Sequence, residues 1–131
     1  MVPLKLCVLS SEIVPYAKTG GLADVAGALL RELKELGHDV RAFMPLYASV
    51  RRAHPELQPV SGLENRGISI GPARYAYAVR SALLPGTEIP MYFIDCPEIF
   101  DRPAFYTFDE DEHRRFLLFT RATIESCLRR G

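Results

Sequence analysis

The chain has 131 residues, the size of one domain, and its 48% apolar and 24% charged residues are those of a folded chain with a core. Its formal net charge is zero, which argues against a general nucleic-acid binder, since such proteins carry a basic surplus. No apolar run reaches the length that crosses a membrane.

Leu4 to Leu9 is a short apolar stretch broken only by Lys5, and it reads as a first, parallel strand. Ile13 to Lys18 is a loop with Pro15 and Tyr16, leading into Lys18-Thr19-Gly20-Gly21-Leu22-Ala23-Asp24. From there Leu22, Val25, Ala26, Leu29, Leu30, Leu33 and Leu36 recur at spacings of three and four, which predicts a helix with one apolar stripe. Gly37 is its natural stop. Val40, Ala42, Phe43 and Met44 form a second strand ended by Pro45. Strand, glycine turn, helix and strand make a βαβ unit, whose strands pair in parallel.

Leu46 to His54 reads as a short helix carrying Arg51 and Arg52, stopped by Pro55. Between Leu57 and Ile94, glycines and prolines punctuate two or three strands, with at least one antiparallel pair and a return to the main sheet over Ile89 to Ile94. Pro97 to Phe108 is an aromatic-rich loop, and the acids Asp109 to Glu112 suit the first turn of a helix as a solvated acidic cluster. That last helix turns Phe116, Leu117, Thr120, Ile124, Cys127 and Leu128 inward and closes on Arg129 and Arg130. A domain of this kind that stops on a helix has not finished its sheet. The first strand is therefore expected at a sheet edge, although its sequence is that of a central strand, and an exposed apolar edge predicts self-association.

The three cysteines, Cys7, Cys96 and Cys127, are odd in number and widely spaced, without zinc-type spacing. They read as small buried apolar residues of a reducing, cytoplasmic compartment. A cleaved signal is not expected, because Ser10, Ser11 and Glu12 interrupt the early apolar run. His38, His54 and His113 sit apart in polar settings and read as solvated surface residues, so no metal and no cofactor is expected.

Ligands of open parallel sheets bind beyond the carboxyl ends of the strands. Three loops leave such ends: Ser10 to Gly21, Pro45 onward, and Asp95 to Tyr106, the last bringing Asp95, Asp101, Arg102 and Tyr106. The free amides at a helix N-terminus favour an anion, and Lys18 and the Thr19 hydroxyl stand beside them, so the corner suits a phosphate. It equally suits a loop that needs two glycines to turn. Lys18 precedes both glycines, so the P-loop pattern fails, and the spacing of Gly20, Gly21 and Gly27 fails the dinucleotide pattern. Asp24 reads as a complement to the helix dipole, Tyr106 as packing, and Arg102 as a loop brace, each with a site role as the alternative.

The run from Ser11 through Lys18-Thr19-Gly20-Gly21-Leu22-Ala23-Asp24-Val25 resembles the N-terminal motif of bacterial glycogen synthases and plant starch synthases. Gly27-Ala28-Leu29, Gly37-His38-Asp39-Val40, Met44-Pro45, Phe93-Ile94-Asp95-Cys96-Pro97, Phe100-Asp101-Arg102-Pro103 and Arg115-Phe116 with Phe119 continue the likeness, which is weakest between about residues 55 and 88. The resemblance implies the first part of the N-terminal Rossmann-like domain of a two-domain GT-B glycosyltransferase: residues 1–131 as one incomplete domain, a parallel sheet with flanking helices and an antiparallel insertion. It implies retaining glucosyl transfer, without metal, from ADP-glucose to the non-reducing end of an α-1,4-glucan. By position, Lys18, Thr19, Gly20 and Gly21 border the donor diphosphate, and Asp24 and Tyr106 lie near a sugar. Two residues depart from the pattern: Phe100 stands where a tyrosine is frequent, and Glu112 where an asparagine is. The family's histidine-bearing strand and its second, nucleotide-holding domain have no counterpart here, so the chain alone is expected to be inactive. The alternative is a non-catalytic nucleotide-sugar or glucan-binding module acting with a partner chain.

Overall fold

A computed structural model of the chain describes residues 2–107 and 109–130, without the side chain of residue 130. Phe108 of the aromatic loop, the Arg130 side chain and Gly131 therefore lie outside the described residues. Strand β1 (Lys5–Leu9) leads through the glycine corner into helix α1 (Gly21–Glu35) and strand β2 (Asp39–Pro45). A short helix α2 (Ala48–Ala53) follows, then strands β3 (Gln58–Pro59), β4 (Arg66–Ile70), β5 (Ala73–Leu83) and β6 (Pro90–Asp95). Helices α3 (Pro97–Phe100) and α4 (Glu112–Arg130) end the chain.

The sheet runs β1-β2-β6-β5-β3, with β4 paired to β5. β1 pairs β2 and β2 pairs β6 in parallel, Leu9 opposite Phe43 and Phe43 opposite Tyr92. β5 runs antiparallel to β6, β4 and β3, so the region expected to hold two or three strands holds four: an antiparallel ribbon, extended by the two-residue β3, and then the returning β6. β1 is an edge strand among the described residues, as its sequence context predicts.

Side chains on adjacent residues of a strand point to opposite faces. Phe43 and Tyr92 stack on the face where Cys7 meets Cys127 of α4. Phe93 points to the other face, where Tyr16, from the loop before α1, packs edge-on at 4.9 Å. One continuous core joins Leu30, Val40, Met44, Val79, Phe93, Phe100 and Leu118.

Helix α1 ends as its sequence predicts. Gly37 takes φ 94°, its N–H bonds Lys34 O at 3.0 Å, and His38 N–H bonds Leu33 O at 3.2 Å. The predicted apolar stripes are only half right. α1 buries Ala23, Ala26, Gly27 and Leu30, while Leu22, Val25, Leu29 and Leu36 are exposed. With β1 at the edge, nothing among the described residues covers that side of the helix. α4 is turned from the expected face: Arg115, Leu118, Phe119, Ala122, Thr123 and Ser126 are buried, and Leu117, Ile124 and Leu128 are exposed. Thr123 and Ser126 can enter the core because their hydroxyls bond carbonyls one turn back, Phe119 O at 2.9 Å and Ala122 O at 2.7 Å.

Four further expectations are corrected. The start of the aromatic loop is the short helix α3, with Pro97 at its first turn. His38 is buried, and its Nδ1 accepts the Leu4 N–H at 3.1 Å. His54 is half-buried against Tyr16 and Glu56. Of the cysteines only Cys96 is fully buried; Cys7 is exposed and Cys127 half-buried.

Candidate functional site at the glycine corner

The loop after β1 folds around Glu12, which is 3% exposed. Its carboxylate accepts the Thr19 N–H at 2.5 Å, the Thr19 hydroxyl at 2.7 Å and the Tyr106 hydroxyl at 2.6 Å. With its proton committed to Glu12, the Tyr106 hydroxyl accepts from Ser11 Oγ at 2.7 Å. The Tyr47 hydroxyl donates to Ser11 O at 2.8 Å. Thus the three loops that leave strand ends do meet, and a buried carboxylate is their junction. Burial alone would raise this carboxyl, but the donors from Tyr106, from both groups of Thr19 and from the Gly20 amide outweigh it and hold Glu12 below the usual range.

Nothing in the sequence pattern marks Glu12 beyond its place in the motif. The only signal is a carboxyl residue between Ser11 and Ile13 in a loop that leaves a strand. Tyr47 was equally silent, being one aromatic residue among many.

Thr19 therefore spends both donors inside the protein. Lys18 and Asp24 face outward, 53% and 54% exposed, with Lys18 Nζ 2.7 Å from Asp24 Oδ2. Such a pair in solvent contributes about 0–1 kcal/mol, so a ligand can separate it cheaply. Gly20 precedes α1 in extended backbone, φ −164°, with no side-chain cap. A Cβ added at Gly20 or at Gly21 meets nothing within 4 Å. Neither glycine is there to permit a left-handed turn or to avoid a clash. They leave bare backbone, open space and the uncapped amides of a helix N-terminus, with an ammonium beside them.

Other residues of the third loop brace it. Asp95 is buried and holds Arg51 of α2 and Nε of Arg80 of β5, the latter at 3.1 Å. Arg102 clasps Asp111 through two bonds, at 2.8 and 2.6 Å, and reaches Asp109 at 3.1 Å. Arg115, 0% exposed, bonds Ile99 O at 2.7 Å, Phe105 O at 3.0 Å and Glu112, with Phe100 and Phe116 over its guanidinium. Asp109, Asp111 and Glu112 are therefore ion-pair partners rather than members of a solvated cluster, while Glu110 is exposed. Glu112 also accepts the Thr107 N–H at 2.7 Å, so its charge is neutralised within the loop. Phe100 lies fully in the core, edge-on to Tyr47.

Among the described residues, no three His, Cys, Asp or Glu side chains are placed to hold a metal ion, and no helix is long and apolar enough to cross a membrane.

An open sheet of parallel strands, extended by an antiparallel ribbon and flanked by helices, defines this as a Rossmann-like fold. The solved catalytic domain of starch synthase IV from Arabidopsis thaliana, bound to ADP and acarbose, superposes with a TM-score of 0.81 at 26% identity, over 99% of this chain and 26% of that one. The family model of the starch synthase catalytic domain matches residues 5–131, and the chain belongs to that family. Glycogen synthase of Syntrophotalea carbinolica is 39% identical over 125 residues, 92% of this chain and 25% of the relative. Glycogen synthase 1 of Geobacter metallireducens is 35% identical over 129 residues, 95% of this chain and 26% of the relative. The chain thus spans about a quarter of the length of these relatives.

Proposed function

We propose that this chain is the N-terminal part of a retaining, cytoplasmic glycogen or starch synthase that transfers glucose from ADP-glucose to the non-reducing end of an α-1,4-glucan. The observation that carries the reading is the open helix N-terminus, with Gly20 and Gly21 bare and Lys18 half-exposed beside them. In glucosyl transfer the leaving group is a nucleoside diphosphate, and negative charge grows on it as the glycosidic bond breaks. Preorganised amides and an ammonium stabilise that charge without reorganising at the moment of reaction. The Arabidopsis neighbour is bound to ADP and acarbose, which supports a nucleoside diphosphate and a glucan as the ligand classes here.

The roles divide among the residues. Lys18 leaves Asp24 to meet the diphosphate, and the bare Gly20–Gly21 backbone lies against it, with the Gly20 amide held on Glu12 and the helix start at Gly21 facing the anion. Asp24, freed, faces the sugar side. Thr19 and Tyr106 act through Glu12: they fix the loop that aims Lys18 and the amides. This makes them positioning residues, a narrower role than direct substrate contact.

Glucosyl transfer by the complete open reading frame, with and without Lys18→Ala, tests the reading. Loss of one preorganised charge-stabilising donor costs about 100-fold or more in kcat/KM. Activity equal to the unsubstituted enzyme would remove Lys18 from the donor site.

A further inference from the structure

Cys7 of β1 and Cys127 of α4 lie 120 residues apart in sequence, yet their sulfurs are 3.5 Å apart. We propose that they form a redox site, a dithiol that closes reversibly to a disulfide and ties the edge strand to the last helix.

The geometry favours closure. A disulfide has sulfurs about 2.05 Å apart, so the pair needs roughly 1.5 Å of combined movement. Rotation of two side chains supplies much of it, and Cys127 sits in the last turn of α4. β1 is paired on one side only, which leaves it free to adjust. Both cysteines line a cavity of about 190 Å³ that is also lined by Leu6, Phe43 and Tyr92, which opens the pair to a small reagent. Arg41 stands opposite Cys7 across the β1–β2 pair and favours the thiolate. Partial burial, then the adjacent Cys127 thiol, nevertheless push the Cys7 thiol up to about 12. Cys7 therefore holds its proton more tightly than a free thiol, and closure needs mildly alkaline pH. Cys96 has no thiol beside it and is fully buried, so the chemistry is confined to one pair.

The co-reactant is a low-molecular-weight disulfide such as oxidised glutathione. One thiol of the pair, as its thiolate, attacks one glutathione sulfur, breaks its S–S bond and expels a glutathione thiolate, leaving a mixed disulfide. The other thiol then loses its proton to solvent and attacks the protein sulfur of that mixed disulfide, expelling the second glutathione as its thiolate. Two protein thiols are oxidised by two electrons, and one glutathione disulfide is reduced to two glutathione thiols.

The test is oxidation of the folded chain with oxidised glutathione at mildly alkaline pH, followed by thiol counting, intact mass and peptide mapping. Two of the three thiols should disappear, with a mass loss of about 2 Da and one linked peptide pair containing Cys7 and Cys127, all reversed by dithiothreitol. Closing so long a loop should raise Tm by about 5 °C or more. Cys96→Ala should change none of this. Cys7→Ser should stop at a mixed disulfide on Cys127. Three free thiols after oxidation, separate mixed disulfides without a linked pair, or a bridge between two chains would each overturn the proposal. The peptide map of the unsubstituted chain decides the matter even where a variant folds poorly.

Discussion

The Tyr106 hydroxyl donates to Glu12 Oε2 at 2.6 Å, joining loops 94 residues apart. This bond holds the aromatic loop before α4 against the loop that carries Lys18. Tyr106→Phe deletes the donor and leaves the buried carboxylate with Thr19. A hydrogen bond to a charged group contributes about 1.5–3 kcal/mol, and removal should cost near the lower figure because Thr19 still donates twice. Urea unfolding should show the midpoint falling with the slope unchanged. An unchanged midpoint would mean that the bond does not hold the loops together.

The same carboxylate gives the fold an acid dependence. Glu12 is held below the usual range by its donors despite its burial, and Asp111 is held low by Arg102. A carboxyl depressed in the folded state binds fewer protons folded than unfolded. Its contribution is complete above the unfolded value, about 4.3 for glutamate, and is lost as pH falls through the lower, folded value. Stability measured by urea unfolding should therefore be flat from pH 7 to about 5 and drop steeply below 4. Glu12→Gln should be less stable at pH 7 and show a shallower acid slope. An identical slope in the variant would assign the acid loss elsewhere.

The glycines separate ligand from fold. At Gly20 and Gly21 a Cβ meets nothing, and the extended Gly20 backbone is open to any residue. The double variant Gly20→Ala/Gly21→Ala should be neutral or up to about 1 kcal/mol more stable, since alanine loses less entropy on folding. In the full-length enzyme it should weaken donor binding. Gly27 behaves oppositely. A Cβ there would stand 2.8 Å from Val14 Cγ2, and a branched side chain against a helix has little room to yield. Gly27→Ala should cost about 1–3 kcal/mol. Comparing the thermal midpoints of the two variants checks both.

Much of this was legible in the sequence, and the boundary is physical. β1, the glycine corner, α1 and β2 were readable because period, cap and stop are local signals. The place of the two glycines and Lys18 at a helix start was readable too, and the structure sets them there with Lys18 exposed. Glu12 was not, because its meaning lies in Tyr106, which only the closed chain brings near. The inward faces of α1 and α4 failed for a related reason. Apolar periodicity says which residues would gain from burial, whereas the sheet edge and the Arg115 network decide which are buried. His38 was read by residue type, yet its buried nitrogen serves one backbone N–H of the strand start.

Arg115 should be the most costly residue to remove. It is fully buried, paired to Glu112 and bonded to two loop carbonyls. Breaking a buried pair by removing one partner costs about 3–5 kcal/mol, because the other charge is left uncompensated. Arg115→Met should lose an amount in that range, and adding Glu112→Gln should recover part of it. Denaturation midpoints for the two single variants and the double variant give the coupling directly. Additive losses would show that Arg115 acts by packing alone.

The edge of the sheet predicts association. Among the described residues β1 presents one unpaired row of backbone groups, with Leu9 at 37% exposure at its end. Beside it, α1 exposes Leu22, Val25 and Leu29, with Val25 at 64%. Unpaired strand edges next to apolar surface pair with other chains unless a charge or proline blocks them, and Lys5 is the only charged residue within β1. Light scattering should therefore show an apparent mass that rises with concentration. Leu9→Lys and Val25→Lys should each lower it, the first by charging the edge and the second by breaking the apolar surface. Neither residue touches the Glu12 junction, so the fold should survive both changes. A monomer throughout the concentration range would show that the exposed edge does not recruit a second chain.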